Sequence, residues 1–287
     1  MISRNLFQRV GFAIVAIPLA IAIIYAGGWL LAAVLAGLGV LGTREVYDLA
    51  RRQAIAPLAW AGYLFSAAMP LGAYWAKGSQ THWAEPAIFL GAMWMLVILT
   101  VAMPLRGPGG RPLTAVAVTV FGSLYASALI AFIIPLRHGA AAGTPPWAAT
   151  WLVLLPLALT WICDTCAMAA GSAIGGPQLA PVLSPKKTWA GAVGGMVGAV
   201  AASLALGLLV LPRVGFVIGA GELVILGVVV GVLAQVGDVA ESLFKREAGV
   251  KDSSALIPGH GGVLDRLDSL YFVVPATAGL FKLFGVL

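Results

Sequence analysis

Apolar residues fall in blocks too long for the alternating faces of a water-soluble fold, and polar residues gather in the short gaps between them. The first block, Val10–Thr43, is apolar over 34 residues. As one helix it would be about 51 Å long at 1.5 Å per residue, well beyond a hydrocarbon core of about 30 Å. The pair Gly27-Gly28 is therefore read as a hinge between two shorter spans. Further blocks follow at Ile55–Ala76, Pro86–Met103, Leu113–Leu136, Ala148–Gly171, Thr188–Leu211, Val214–Gly237 and Leu270–Phe284. Pro18, Pro70, Pro156 and Pro275 lie inside these blocks, which membrane helices tolerate when neighbours re-satisfy the freed backbone groups. The pattern predicts an all-α, polytopic membrane protein of about nine transmembrane helices. They form one integrated membrane domain, with residues 1–147 as N-terminal spans and 148–287 as C-terminal spans that carry the chemistry.

Composition agrees. The chain is 61% hydrophobic and 10% charged, with mean hydropathy +0.99, against roughly 25% charged residues in a soluble domain. Its net charge of +6 is spread over short loops rather than gathered in a tract. That suits anionic substrates and a membrane topology signal, not a nucleic-acid partner. Gly27-Gly28-Trp29 is not an obvious cleavage site, so no cleaved leader is expected.

Charge then sets orientation. With nine spans, one set of termini and loops holds thirteen basic residues: Arg4, Arg9, Arg44, Arg51, Arg52, Arg106, Arg111, Lys186, Lys187, Lys245, Arg246, Lys251 and Arg266. The other set holds four: Lys77, Arg137, Arg213 and Lys282. The asymmetry predicts a cytoplasmic N-terminus and an external C-terminus.

Two cysteines, Cys163 and Cys166, sit in an apolar block with no second pair and only His82, His138 and His260 elsewhere in the chain. Zinc needs about four ligands, so small-residue helix packing is the better reading. Gly191 with Gly195, and Gly194 with Gly198, give the spacing of close helix packing, inside one chain or across a homodimer.

The densest charge lies between Asp238 and Asp268. On helical spacing Asp238, Glu241, Ser242 and Lys245 share one face, and Asp265 and Asp268 share another. Gly249, Pro258, Gly259, Gly261 and Gly262 break regular structure between them. Carboxylates on two helix ends around a Lys/Arg loop suit a divalent metal and phosphate oxygens; a solvated, topology-setting loop is the alternative. Asp238 ends a span whose helix is expected to run on until Gly249 stops it. Asp265 and Asp268 are expected in the first turns of the last helix, where its dipole favours negative charge. Asp164 lies inside the Ala148–Gly171 span and should face a polar cavity, a metal or a salt-bridge partner. The loop Gly175–Thr188 holds three prolines and cannot be a long helix. Thr188 is a plausible N-cap for the following span, which would set Ser184, Lys186 and Lys187 beside the positive end of a helix dipole.

Spacing included, Ser242, Lys245-Arg246, Lys251-Asp252, Ser254, Pro258, His260-Gly261-Gly262, Asp265-Arg266 and Asp268 resemble the signature of the phosphatidate cytidylyltransferases. A second stretch is similar to the same family: Trp161, Asp164-Thr165, Gly171, Gly175, Leu179-Ala180-Pro181, Ser184-Pro185-Lys186-Lys187-Thr188-Trp189 and Gly191. The resemblance is strong from about Trp161 onward and only general before it. It implies an enzyme of the cell (inner) membrane, working at the cytoplasmic face. The enzyme would transfer CMP from CTP to phosphatidic acid, giving CDP-diacylglycerol and pyrophosphate for phospholipid biosynthesis.

On that resemblance Asp238 and Asp265 are first choices as ligands of Mg²⁺, with Asp268 and Asp164 second and a second cation as an option. Lys186, Lys187, Lys245, Arg246 and Arg266 would hold phosphates. Ser184, Thr188, Lys251, Gly261 and Gly262 would complete the substrate site, and His260 would position rather than ligate. The chain departs from the family at Ala190, where an acidic residue is usual, and at Ser172, Gly176 and Gln178, where bacterial members often carry basic residues. The rival readings are a cation-coupled transporter and a divergent member activating another lipid phosphate.

Overall fold

The computed structural model describes residues 4–76, 84–106, 108–257 and 261–287. Lys77, His82, Pro258, Gly259 and His260, named above, lie outside the described residues.

The apolar blocks fold as helices: α1 (Arg4–Ala26), α2 (Gly28–Arg52), α3 (Ala59–Trp75), α4 (Ala84–Arg106), α5 (Pro112–Ser123), α6 (Ile133–His138), α7 (Pro146–Ile174), α8 (Trp189–Leu209), α9 (Ala220–Glu247), α10 (Leu264–Leu267) and α11 (Leu270–Leu283). The hinge falls where expected. Gly27 and Gly28 have φ of 59° and 62°, which glycine adopts without a Cβ clash. Arg137 closes this corner, its guanidinium donating to Ile24 O and Tyr25 O at the end of α1, both at 2.7 Å. The block at Leu113–Leu136 is one continuous rod from Pro112 to His138, but a π-helical turn at Leu124–Ala128 interrupts it.

Among the described residues, five helical segments are long and apolar enough to cross a bilayer: Gly28–Arg52, Pro112–His138, Pro146–Ile174, Trp189–Leu209 and Ala220–Glu247. Their outward faces stay apolar. Val193, Val197, Leu208 and Leu209 of α8 are exposed, as are Ile225, Val232 and Val236 of α9. A surface this greasy is stable against lipid tails and not against water.

Among the described residues one two-stranded hairpin interrupts the helices. Gln178–Ala180 (β1) and Ser184–Thr188 (β2) pair antiparallel, Gln178 opposite Thr188 and Ala180 opposite Ser184. The prolines that forbid a helix here leave an extended chain able to close on itself.

α7, α8 and α9 pack as a tight trio. A Cβ added at Gly195 would meet Ala167 Cβ at 3.0 Å and Cys163 Sγ at 3.1 Å, and one at Gly198 would meet Cys166 Sγ. Both glycine pairs and both cysteines thus belong to one seam inside the chain. Cys163 is buried, and its thiol lies 3.7 Å from Gly231 O on α9. The N-terminal half packs around Tyr47, fully buried, whose hydroxyl donates to Thr119 O at 2.7 Å. Gly62 and Gly122 lie against its ring too closely for any side chain.

Candidate active site

Two charged clusters form where α9 ends, one open and one buried. In the open cluster Lys187 Nζ lies 2.7 Å from Asp238 Oδ2. Lys187 comes from β2, and strand alternation sends its neighbour Lys186 to the other side, where it is exposed. The two lysines are adjacent in sequence but do not face one space. Asp268 feels the same centre. Its half-buried carboxyl is pushed up to about 6, by burial first, then by the negative charge of Asp238 and, more weakly, of Asp164. Asp164 is exposed on α7. Three carboxylates from three helical segments thus share one field, with Lys187 on one of them.

The hairpin is fixed at its base. Thr188 Oγ1 accepts from Gly191 N at 3.1 Å as the N-cap of α8, and Trp189 N donates to Pro177 O at 3.0 Å. Gln178 donates its amide to Pro185 O at 2.9 Å. Arg246 reaches Leu183 O at 3.4 Å and Val250 O at 2.9 Å, tying hairpin to loop.

The helix α9 does run past Asp238 to Glu247, and Gly249, with φ 70°, turns the chain away. At 28 residues it is about 42 Å long by the 1.5 Å rise, so its charged last turns extend beyond a ~30 Å hydrocarbon core. Ser242 Oγ sits 3.5 Å from Asp238 Oδ1, one turn back on the expected face.

The second cluster is buried. Lys245 Nζ lies 2.6 Å from Asp265 Oδ1 and 3.2 Å from Glu241 Oε1. The Glu241 contact is an ion pair without hydrogen-bond geometry, since neither Glu241 oxygen has a hydrogen-bond partner. Lys245, assigned to phosphates in the sequence, is here buried against Asp265 and Glu241. Asp265 is equally enclosed. Its Oδ2 accepts from Ser253 N at 2.8 Å, Ser253 Oγ at 2.7 Å and Gly262 N at 2.9 Å. Burial alone would raise this carboxyl, but the Gly262 N–H, Lys245 and Ser253 hold it below its ordinary value. Asp265 lies on α10 and Asp268 in the turn before α11, where the backbone keeps right-handed helical angles and Asp268 Oδ1 accepts the N–H of Ser269 at 2.6 Å.

Sequence reasoning missed Glu45. It lies on α2, far from the signature in sequence, and is 4% exposed. Its carboxylate accepts four hydrogen bonds: from Ser253 Oγ and Ser254 Oγ, both at 2.8 Å, and from the backbone of Val263 at 3.0 Å and Leu264 at 2.8 Å. Glu45 stands just past the first apolar block, beside Arg44 and three residues before Asp48, so nothing in its sequence neighbourhood set it apart.

Lys251, Asp252 and Arg266 are exposed around the rim. Gly261, with φ 79°, and Gly262 let the backbone lie directly on Asp265, where a Cβ would collide with carboxylate oxygens. Ser184 and Ala190 flank the hairpin, both half-buried. Asp238, Asp268 and Asp164 offer hard oxygen of the kind a divalent cation takes, and the negative charge of Asp238 and Asp164 bears on Asp268. As placed, with the Lys187 ammonium on Asp238, no three acidic, His or Cys side chains among the described residues form a ligating group.

An α-helical membrane protein with a carboxylate and lysine site at one end of its bundle is thus defined. Its sequence supplies the family. A sequence model of the cytidylyltransferase family matches residues 7–284, and the chain belongs to that family. It is 31% identical over 299 aligned positions to a phosphatidate cytidylyltransferase of Synechocystis, covering 93% of this chain and 94% of that one. Against Arabidopsis thaliana "phosphatidate cytidylyltransferase 4, chloroplastic" it is 33% identical, over 99% of this chain and 76% of that one. A phosphatidate cytidylyltransferase of Brucella suis is 44% identical over 145 residues; the match spans about half the length of each chain.

Proposed function

We propose that this protein transfers CMP from CTP to phosphatidic acid, releasing pyrophosphate and forming CDP-diacylglycerol, at the cytoplasmic face of the cell (inner) membrane. Family membership and near full-length relatives of that name support the reaction. The observation that carries the site is the convergence of Asp238, Asp268 and Asp164 with Lys187 at the charged end of the bundle. The transport alternative has no comparable support, because neither the family nor these relatives are transporters by name.

A phosphatidate oxygen attacks the α-phosphorus of CTP, and the bond from that phosphorus to the oxygen bridging to the β-phosphorus breaks. The protein has little covalent work to do here. Placing two anionic substrates and offsetting their charge supplies most of the acceleration. Asp238, Asp268 and Asp164 would hold Mg²⁺, a Lewis acid that neutralises phosphate charge when bound. Lys187, 2.7 Å from Asp238 Oδ2, would hold a phosphate oxygen beside these carboxylates. The exposed Lys186, Arg246, Lys251 and Arg266 receive the rest of the triphosphate. Asp265 and Lys245 hold the loop rather than the metal. The lipid arrives sideways from the bilayer along the apolar outer faces. Nine spans with a cytoplasmic N-terminus complete the reading.

The test is purified protein with labelled CTP, phosphatidic acid and Mg²⁺. A labelled lipid whose formation stops with EDTA is expected. Labelling of another lipid phosphate but not of phosphatidic acid would make the protein a divergent member, and no labelled lipid with any acceptor would remove the reaction altogether.

A further inference from the structure

Glu45 belongs to the half of the chain where the family resemblance is only general, yet it takes four hydrogen bonds from the signature loop. Four donors converge on its two oxygens, two hydroxyls and two consecutive backbone N–H groups. Val263 and Leu264 open α10, the short helix that delivers Asp265, Arg266 and Asp268. A carboxylate on these N–H groups satisfies donors that have no helical partner and fixes where the turn begins.

The same loop is gripped from the other side by Asp265. Ser253 Oγ lies 2.8 Å from Glu45 Oε2 and 2.7 Å from Asp265 Oδ2. A hydroxyl carries one hydrogen, so Ser253 donates to one carboxylate at a time while staying packed between both. Gly262 threads the gap, where any Cβ would collide with Ser253 Oγ and with the Glu45 carboxylate. The anchor is rigid, because α2 is clamped at Tyr47, two residues on, by its bond to Thr119 O. A charge-assisted contact of this kind is roughly twice as strong as a neutral one. With only 4% of Glu45 exposed, the contact is shielded from water.

We infer that Glu45 is a positioning residue for the proposed transfer. It touches no reacting atom but holds the backbone at 262–264, so that Asp268 meets Asp238 and Asp164 at a fixed place. The inference rests on the function proposed above. It also makes the N-terminal spans part of the catalytic apparatus rather than a membrane anchor alone.

Glu45→Gln is the gentle probe. The amide keeps one acceptor oxygen and puts an NH₂ against donors, so part of the grip is lost and one contact becomes repulsive. Glu45→Asp keeps the charge but falls short by one methylene. For both variants kcat should fall, by up to about a hundred-fold for an ångström of misplacement, while KM for CTP changes less. Hydrogen exchange at the amides of Val263 and Leu264 should quicken in Glu45→Gln, with exchange in α7 and α8 unchanged. Ser254→Ala, which deletes one donor only, should give a smaller effect of the same kind. Unchanged exchange at 263 and 264 would overturn the inference whatever the activity. So would a uniform loss of stability with normal kcat per folded molecule, which would make Glu45 a packing residue. If the wild type lacks the transferase activity, the function proposal fails while the exchange measurement still decides whether Glu45 holds this loop.

Discussion

Three carboxylates in one field cost stability when nothing neutralises them. Asp268 stands at about 6 against an ordinary 3.8, with burial and Asp238 as the main causes. A carboxyl raised in the folded state contributes most when protonated. Its contribution is therefore fully present below the unfolded pKa near 3.8 and is lost as pH rises through about 6. Without divalent cation, Asp268→Asn should thus melt above wild type near pH 8, with the gap closing as pH falls below about 6. The same variant should lose turnover by orders of magnitude. Thermal melts in detergent with EDTA across that range check the first half, and a gap that ignores pH would show Asp268 is not the ionised member. Lysine chemistry separates in the same way. Lys187→Ala removes the ammonium beside Asp238, whereas Lys186→Ala removes an exposed charge on the opposite strand face. Charged hydrogen bonds are worth roughly 1.5–3 kcal/mol, about ten- to over a hundred-fold, and Lys187→Ala should show that loss more fully in the kinetics against CTP. Equal, negligible effects in both would leave the hairpin a topology signal only.

At the scale of elements, the seam between α7 and α8 sets the distance between the Asp164 helix and the lysine hairpin. It is built from residues with almost no side chain. A Cβ at Gly191 would meet Ala167 O at 2.8 Å, and one at Gly194 would run into Ala170 Cβ. Gly194→Leu should therefore push the helices apart, costing about 1–3 kcal/mol as overpacking does, and carry Lys187 away from Asp238. Gly37→Ala, with nothing within 4 Å of the added atom, should be close to neutral in the same melting assay. Glycine pairs at this spacing read equally well as a dimer face in sequence. The structure spends them inside one chain because Cys163, Cys166, Ala167 and Ala170 present the matching small surface.

For the molecule as a whole, chemistry is concentrated at one end. Arg106 donates to Ala56 O at 3.2 Å, tying the end of α4 to the α2–α3 connection, and Arg246 ties the end of α9 to the hairpin. Arg137 meets the end of α1 at the hinge corner. Cysteines introduced at Arg51, Lys186 and Lys251 should accordingly be shielded from an impermeant reagent in intact cells. Cysteines at Lys77 and Arg137 should react, the second only as far as the burial of Arg137 allows. Labelling at 251 from outside would reverse the orientation and move the site away from cytoplasmic CTP.

Much of this was written in the chain. Apolar block lengths, the Gly27-Gly28 break, the N-cap at Thr188 and the stop at Gly249 are local effects, decided by a few neighbouring residues and the thickness of a bilayer. Helical spacing also placed Asp238, Glu241, Ser242 and Lys245 together, since one helix carries them all. What only the tertiary structure decided is which charges meet across elements. It separated Lys186 from Lys187 through an unforeseen strand and turned Lys245 and Asp265 into a buried pair. It also brought Glu45 of α2 onto Ser253, Ser254 and the start of α10. Contacts between residues some two hundred positions apart leave no periodicity to read, because they depend on how whole helices pack and not on what stands beside each residue.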